Sequence, residues 1–219
     1  ESGVDFTIND DLVIPAGSTS ASGELKILRD KAIEGTETLT FVIGDERTAN
    51  ASFAGETVNM TIQNYIYPNL EITSSWEKEI IYHWTLTDSL GNEFEHTDTL
   101  SACEFVDIDL LVFDADQNDL GIYDGATGSC PEHISLSGDL ADGDYYIWAN
   151  LYDLAFSMPD NSVVTLPITT VVEQFGKMAP ATYSQTNSSV ILSTDPTETT
   201  LKPVIKVTKV GTNYTVTAL

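Results

Sequence analysis

Apolar side chains in this sequence recur at every second residue and almost nowhere at the three-to-four spacing of a helix. Ile80, Tyr82, Trp84 and Leu86 alternate with Ile81, His83, Thr85 and Thr87. Leu39, Phe41 and Ile43 alternate with Thr40 and Val42, and Val58, Met60 and Ile62 alternate with Asn59, Thr61 and Gln63. Successive side chains of a strand point to opposite faces, so this pattern lines one face of a sheet with apolar groups. The stretches that could be helical, such as 28–37, are short and broken by Gly or β-branched residues. Gly, Asp, Asn and Pro bound the alternating runs, as turns require. Near the end, Val204, Ile205 and Val207 lead through Val210-Gly211-Thr212-Asn213 to Tyr214 and Val216, the pattern of a closing hairpin. The expected fold class is all-β, built from antiparallel β-sandwiches.

A boundary is expected at Tyr65-Ile66-Tyr67-Pro68-Asn69, where a strand-like run meets a proline that removes a ladder donor and holds its predecessor extended. Two modules follow, 1–67 and 68–219.

The charge is lopsided. Nine Lys and Arg face 34 Asp and Glu, for a net charge of −25. The charge argues against nucleic acid as a partner, because binding a polyphosphate rests on Lys and Arg neutralising phosphates. No apolar stretch approaches the roughly 20 residues of a membrane helix, so direct membrane insertion of this segment is not expected. Residues 79–176 contain no Lys or Arg but hold 19 Asp or Glu. Two readings stand: a solvated acidic surface that favours solubility, or carboxylates that share a divalent cation.

Cys103 and Cys130 form no CxxC pair and no His cluster accompanies them, which argues against structural zinc. They are either one disulfide of an oxidising compartment or two buried thiols. Abundant Thr, Ser, Asn and Asp with few Lys fit an exported protein. The expected location is therefore extracellular or at the cell surface, including an exported lipoprotein.

Residues 3–63 carry Gly3-Val4-Asp5-Phe6, then Pro15-Ala16-Gly17-Ser18, then Asp30-Lys31-Ala32-Ile33-Glu34-Gly35-Thr36-Glu37-Thr38-Leu39. Their order and spacing resemble the Calx-beta family, with its G-x-D-[YF] segment, its PAG turn and its D-x-x-x-E-G-x-E-T signature. The resemblance implies a β-sandwich that is partial at its N-terminus, since only Glu1 and Ser2 precede the G-x-D segment. It also places Asp30, Glu34 and Glu37 at the acidic positions of a possible calcium site. Calcium needs roughly six to eight oxygens, and the acidic run that closes calcium-binding members is replaced here by Thr61-Ile62-Gln63-Asn64-Tyr65. The alternative is a solvated turn with Gly35 supplying its backbone freedom.

Further on, Asp107-Ile108-Asp109-Leu110 and Gly143-Asp144-Tyr145-Tyr146-Ile147-Trp148 are similar to the bacterial pre-peptidase C-terminal (PPC) module over about residues 100–175. That resemblance implies a jelly-roll-like sandwich acting as a non-catalytic accessory of secreted or adhesive proteins. Read from the residues themselves, Asp107 and Asp109 share one strand face, with Ile108, Leu110 and Val112 on the other. Asp114, Asp116 and Asn118 offer oxygens at alternate positions, as calcium loops do, but also as ordinary Asx-turns do. Tyr146, Trp148 and Tyr152 fall on one side of a strand and could stack on a glycan or anchor a surface protein, unless that side is covered.

No GxSxG, HExxH, P-loop or dinucleotide fingerprint occurs. The expected function is a non-catalytic surface module for adhesion or accessory binding, with carbohydrate binding and a calcium-dependent structural role as alternatives. Calcium is the one cofactor expected.

Overall fold

The computed structural model describes residues 5–9, 12–29, 31–44, 55–185 and 190–219. Among them the regular secondary structure is almost wholly β-strand, paired antiparallel. The chain forms two compact units, Glu1–Tyr67 with Phe175–Ala179, and Pro68–Gln174 with Pro180–Leu219.

In the first unit, β1 (Phe6–Ile8) pairs with β2 (Leu25–Ile27), and β3 (Glu37–Ile43) pairs with β4 (Glu56–Ile62). Leu39 lies opposite Met60 and Phe41 opposite Val58, so the alternation puts the larger apolar groups on one half-buried face. No apolar side chain among the described residues of 5–67 is fully buried, and Val13, Ile14 and Val42 are exposed. The unit also draws on Phe175–Ala179, which the expected division at residue 67 assigns to the other module. The physical reason is local. The Tyr67 N–H donates to the Phe175 carbonyl, the Asn64 amide donates to the Gly176 carbonyl at 2.6 Å, and the Tyr67 and Phe175 rings stack. Gly176 adopts φ +75°, and a β-carbon there would collide with the Tyr65 carbonyl oxygen. Lys31 stands 3.9 Å above the Phe175 ring and Arg29 4.4 Å above Tyr65, so cations cap this aromatic group.

The second unit contains β5 (Leu70–Ser75), β6 (Glu79–Thr87), β7 (Glu93–Ser101), α1 (Ala102–Phe105), β8 (Val106–Phe113), β9 (Glu132–Leu136) and β10 (Gly143–Leu154). After these come β11 (Thr165–Leu166), β12 (Thr169–Gln174), β13 (Met178–Ser184, in this unit from Pro180 on), β14 (Ile191–Leu192), β15 (Leu201–Val210) and β16 (Asn213–Ala218). Two four-stranded sheets dominate, ordered β16-β15-β10-β8 and β13-β12-β5-β9. Ile108, Leu110 and Val112 with Ile147, Ala149 and Leu151 bury the inner face of the first. Leu70, Ile72, Ile134, Leu136 and Val172 bury that of the second. Each of these fully buried Val, Leu and Ile side chains contributes about 1.5–3 kcal/mol. The sheets meet at Gly125, where a β-carbon would press on both Leu110 and Ile134.

The turn Gly211-Thr212 closes the β15–β16 hairpin with Gly211 at φ +57°, as the spacing predicts. The one-turn helix α1 is an addition to the sequence reading. Ser101 caps it through the Cys103 N–H while Glu104 reaches back to the Ser101 N–H, an S-x-x-E box legible in the chain.

Candidate functional site

The strands β6 and β7 form a hairpin sheet of their own, paired from Glu79–Ser101 to Thr87–Glu93. Directly opposed residues share a face, so Tyr82 and Asp98, Trp84 and His96, and Leu86 and Phe94 stand together on one side. The Trp84 and His96 rings stack with centroids 4.5 Å apart, and the Trp84 indole N–H donates to Asp98 Oδ2 at 2.6 Å. Tyr82 contacts Phe156, which leans on the buried Phe105 at 5.1 Å. Asp160 accepts the His83 backbone N–H at 3.2 Å and the Ser162 N–H at 2.9 Å. Bonds to Ser162, then to His83, hold its carboxyl below the usual range. These groups border a cleft of about 910 Å³ whose walls include Tyr82, Trp84, Phe156, Glu95, Asp98 and Asp160. The alternation of Ile80 to Leu86 marks the apolar face in the sequence. Nothing in the sequence connects that face with Phe156 or Asp160.

A second cluster gathers on the edge strand β8. Carboxylate oxygens of Asp107, Asp109 and Glu132 lie within 4.8 Å of one another. Glu132, 1% exposed, accepts the Thr127 and Ser129 N–H groups at 3.1 and 2.8 Å and the Thr127 hydroxyl. Burial, then Asp107 and Glu132, push the Asp109 carboxyl up to about 6. Burial also raises that of Asp107, followed by the charges of Glu132 and Asp153.

The Asp114, Asp116 and Asn118 loop is an Asx-turn. Asp114 Oδ1 accepts the N–H groups of Asp116 and Asn118 at 2.8 and 2.9 Å, and Oδ2 accepts the Asn118 amide at 2.9 Å. The Asn118 side chain is the leading cause of a lowered Asp114 pKa. Asp88 makes the same bonds to Leu90 and Asn92 in the β6–β7 turn, so the arrangement serves to close hairpins. Both oxygens of Asp114 thus face nitrogen donors of its own loop.

In the first unit Glu34 and Glu37 come together with Asp5, the acid of the G-x-D segment, beside a small pocket of about 240 Å³ that also holds Arg29. Asp30 lies outside the described residues.

The aromatic row on β10 is uneven. Tyr146 is half-buried with the Lys206 ammonium 5.8 Å from its ring centre, and Trp148 is half-buried edge-on to Phe113. A register shift between Leu151 and Asp153 leaves Tyr152 without a partner on β8, and it is 50% exposed. The three do not make one open platform. Cys103 and Cys130 are joined in a disulfide that ties α1 to the start of β9, with Cα atoms 5.5 Å apart.

Fold and site together define an antiparallel all-β protein with an aromatic, acid-rimmed surface cleft. Comparisons with protein-family models, curated proteins and solved structures return no match.

Proposed function

We propose that this chain is a non-catalytic binding module of an exported surface protein, for adhesion or as an accessory, and that the β6–β7 cleft takes a neutral carbohydrate. The observation that carries the reading is the indole of Trp84, stacked on His96 and fixed by Asp98 beside further carboxylates. Sugar rings present apolar C–H faces to aromatic planes and hydroxyl donors to carboxylate acceptors, and binding sites commonly combine apolar walls with a few placed polar groups. Acidic walls disfavour anionic ligands. Export is supported by the disulfide, since such bonds persist in oxidising compartments. The resemblances to Calx-beta and pre-peptidase modules point the same way.

A protein partner is the second reading. It is favoured by the apolar end of the hairpin, where Leu86 and Phe94 are half exposed and Leu90 is 85% exposed.

Titration with neutral polysaccharides, followed by Trp fluorescence and calorimetry, tests the carbohydrate reading. Binding that falls at least tenfold in Trp84→Ala and persists in Trp148→Ala supports it. Unchanged affinity in Trp84→Ala, or no response to any polysaccharide, overturns it.

A further inference from the structure

We infer that the β8–β10 pair carries a binding site for a hard divalent cation of calcium's size, held by Asp107, Asp109, Glu132 and Asn150. The carbohydrate reading and this one stand on different residues.

Asp109 and Asn150 are directly opposed in the antiparallel register, so their side chains share one sheet face, away from the core that Ile108 and Leu110 bury. Asn150 is 8% exposed, yet its Oδ1 is closed to solvent and accepts no hydrogen bond. Asp107 Oδ1 is in the same condition. Buried acceptors in native structures nearly always find a donor. Here two lack one, on neighbouring strands, where three carboxylates converge. Among the described residues no Lys, Arg or His pairs with Asp107, Asp109 or Glu132. The donors to Glu132 are neutral, and they leave Oε2 with only the Thr127 hydroxyl. A positive centre is what this arrangement lacks.

Size and hardness follow from the atoms. Every named ligand is an oxygen, which selects hard cations over zinc or copper. Calcium–oxygen bonds of roughly 2.3–2.6 Å let two ligands of one ion stand about 4.6–5.2 Å apart. The carboxylate oxygens lie no more than 4.8 Å apart, close enough for one such ion to reach all three. Magnesium demands shorter bonds and stricter geometry. Three carboxylates and an amide oxygen supply at least four ligands, and water would complete the shell. A bound ion would fasten the segment between β8 and β9, which delivers Glu132 and carries the Cys130 end of the disulfide, to the face of β8 and β10.

The test is thermal unfolding of the full chain at neutral pH in EDTA and in excess calcium chloride. With free calcium about a hundredfold over Kd, mass action on a unit of this size raises Tm by about 5–10 °C. Asp109→Asn removes that shift, while the Glu34→Gln/Glu37→Gln double variant keeps it. Asn150→Leu, which changes no charge, weakens calcium at least tenfold by calorimetry and serves if Asp109→Asn fails to fold. No shift in the wild type overturns the proposal, leaving protons or water to occupy the cluster. A shift retained in Asp109→Asn, or unweakened binding in Asn150→Leu, also overturns it, as the ion then sits elsewhere on the acidic surface. A larger response to magnesium than to calcium overturns the size assignment.

Discussion

Trp84 is held at two points: its N–H donates to Asp98 across the hairpin at 2.6 Å, and one face of its ring lies on His96 at 4.5 Å with an interplanar angle of 18°. The arrangement fixes the indole before any ligand arrives. Preorganisation of this kind lowers the ordering cost of binding. Asp98→Ala frees the ring and removes an acceptor worth about 1–3 kcal/mol when charged and buried, less at this exposed position. A threefold to tenfold loss of polysaccharide affinity is expected, with an altered Trp emission maximum and an unchanged far-ultraviolet spectrum. Affinity equal to that of wild type would remove Asp98 from the account.

The raised pKa of Asp109 has a definite sign in metal-free buffer. The folded carboxyl titrates near 6, above an ordinary Asp near 3.8. Between those values the native state retains a proton that the unfolded state has released, so stability falls as pH rises through that window. The shift corresponds to about 3 kcal/mol at most, and solvent screening at this partly exposed group lowers the expected effect to about 1 kcal/mol. In EDTA, Asp109→Asn should therefore be more stable than wild type at pH 7 and equal to it near pH 3.5, measured by urea unfolding. Equal stability at both pH values would refute the assignment.

The bond between Cys103 and Cys130 spans 27 residues of sequence. In the chain-entropy treatment such a loop contributes about 3–4 kcal/mol by restricting the unfolded chain. The Cys103→Ser/Cys130→Ser variant should lose stability of that order in denaturant titrations. A thiol count of the unreduced, denatured wild type should give no free thiol.

Gly176 is a point of close approach in the first unit. Alanine there must take a left-handed backbone and displace the Tyr65 carbonyl. Gly176→Ala should cost at least 1 kcal/mol. Hydrogen exchange offers a local readout: the Tyr67 amide, bonded to Phe175, should lose protection while that of Ile147 keeps its own.

Much of the strand content is legible because a period of two is a local property. Ile108, Leu110 and Val112 can be assigned to a buried face from their spacing alone, and the structure buries all three. The Asx-turn at Asp114 is equally local, since its partners lie two and four residues on. The clusters are a different matter. Glu132 reaches Asp107 and Asp109 from a strand of the other sheet, across a segment whose path no spacing rule specifies. Phe156 and Asp160 join the hairpin cleft from beyond β10. The bulge that unpairs Tyr152 arises from register with β8, which the sequence of β10 does not state. Pairing and layering decide such features, and they become visible only in three dimensions.

The segment Phe175–Ala179 belongs to the first unit although more than a hundred residues separate it from Tyr67. The polypeptide therefore enters that unit twice, and no single scission yields both halves intact. A fragment ending at residue 67 loses the loop that receives the amide hydrogens of Asn64 and Tyr67. Gene shuffling at the proline boundary would sever the same stitch, so the two parts are expected to be inherited jointly, unlike beads that can be restrung in any order.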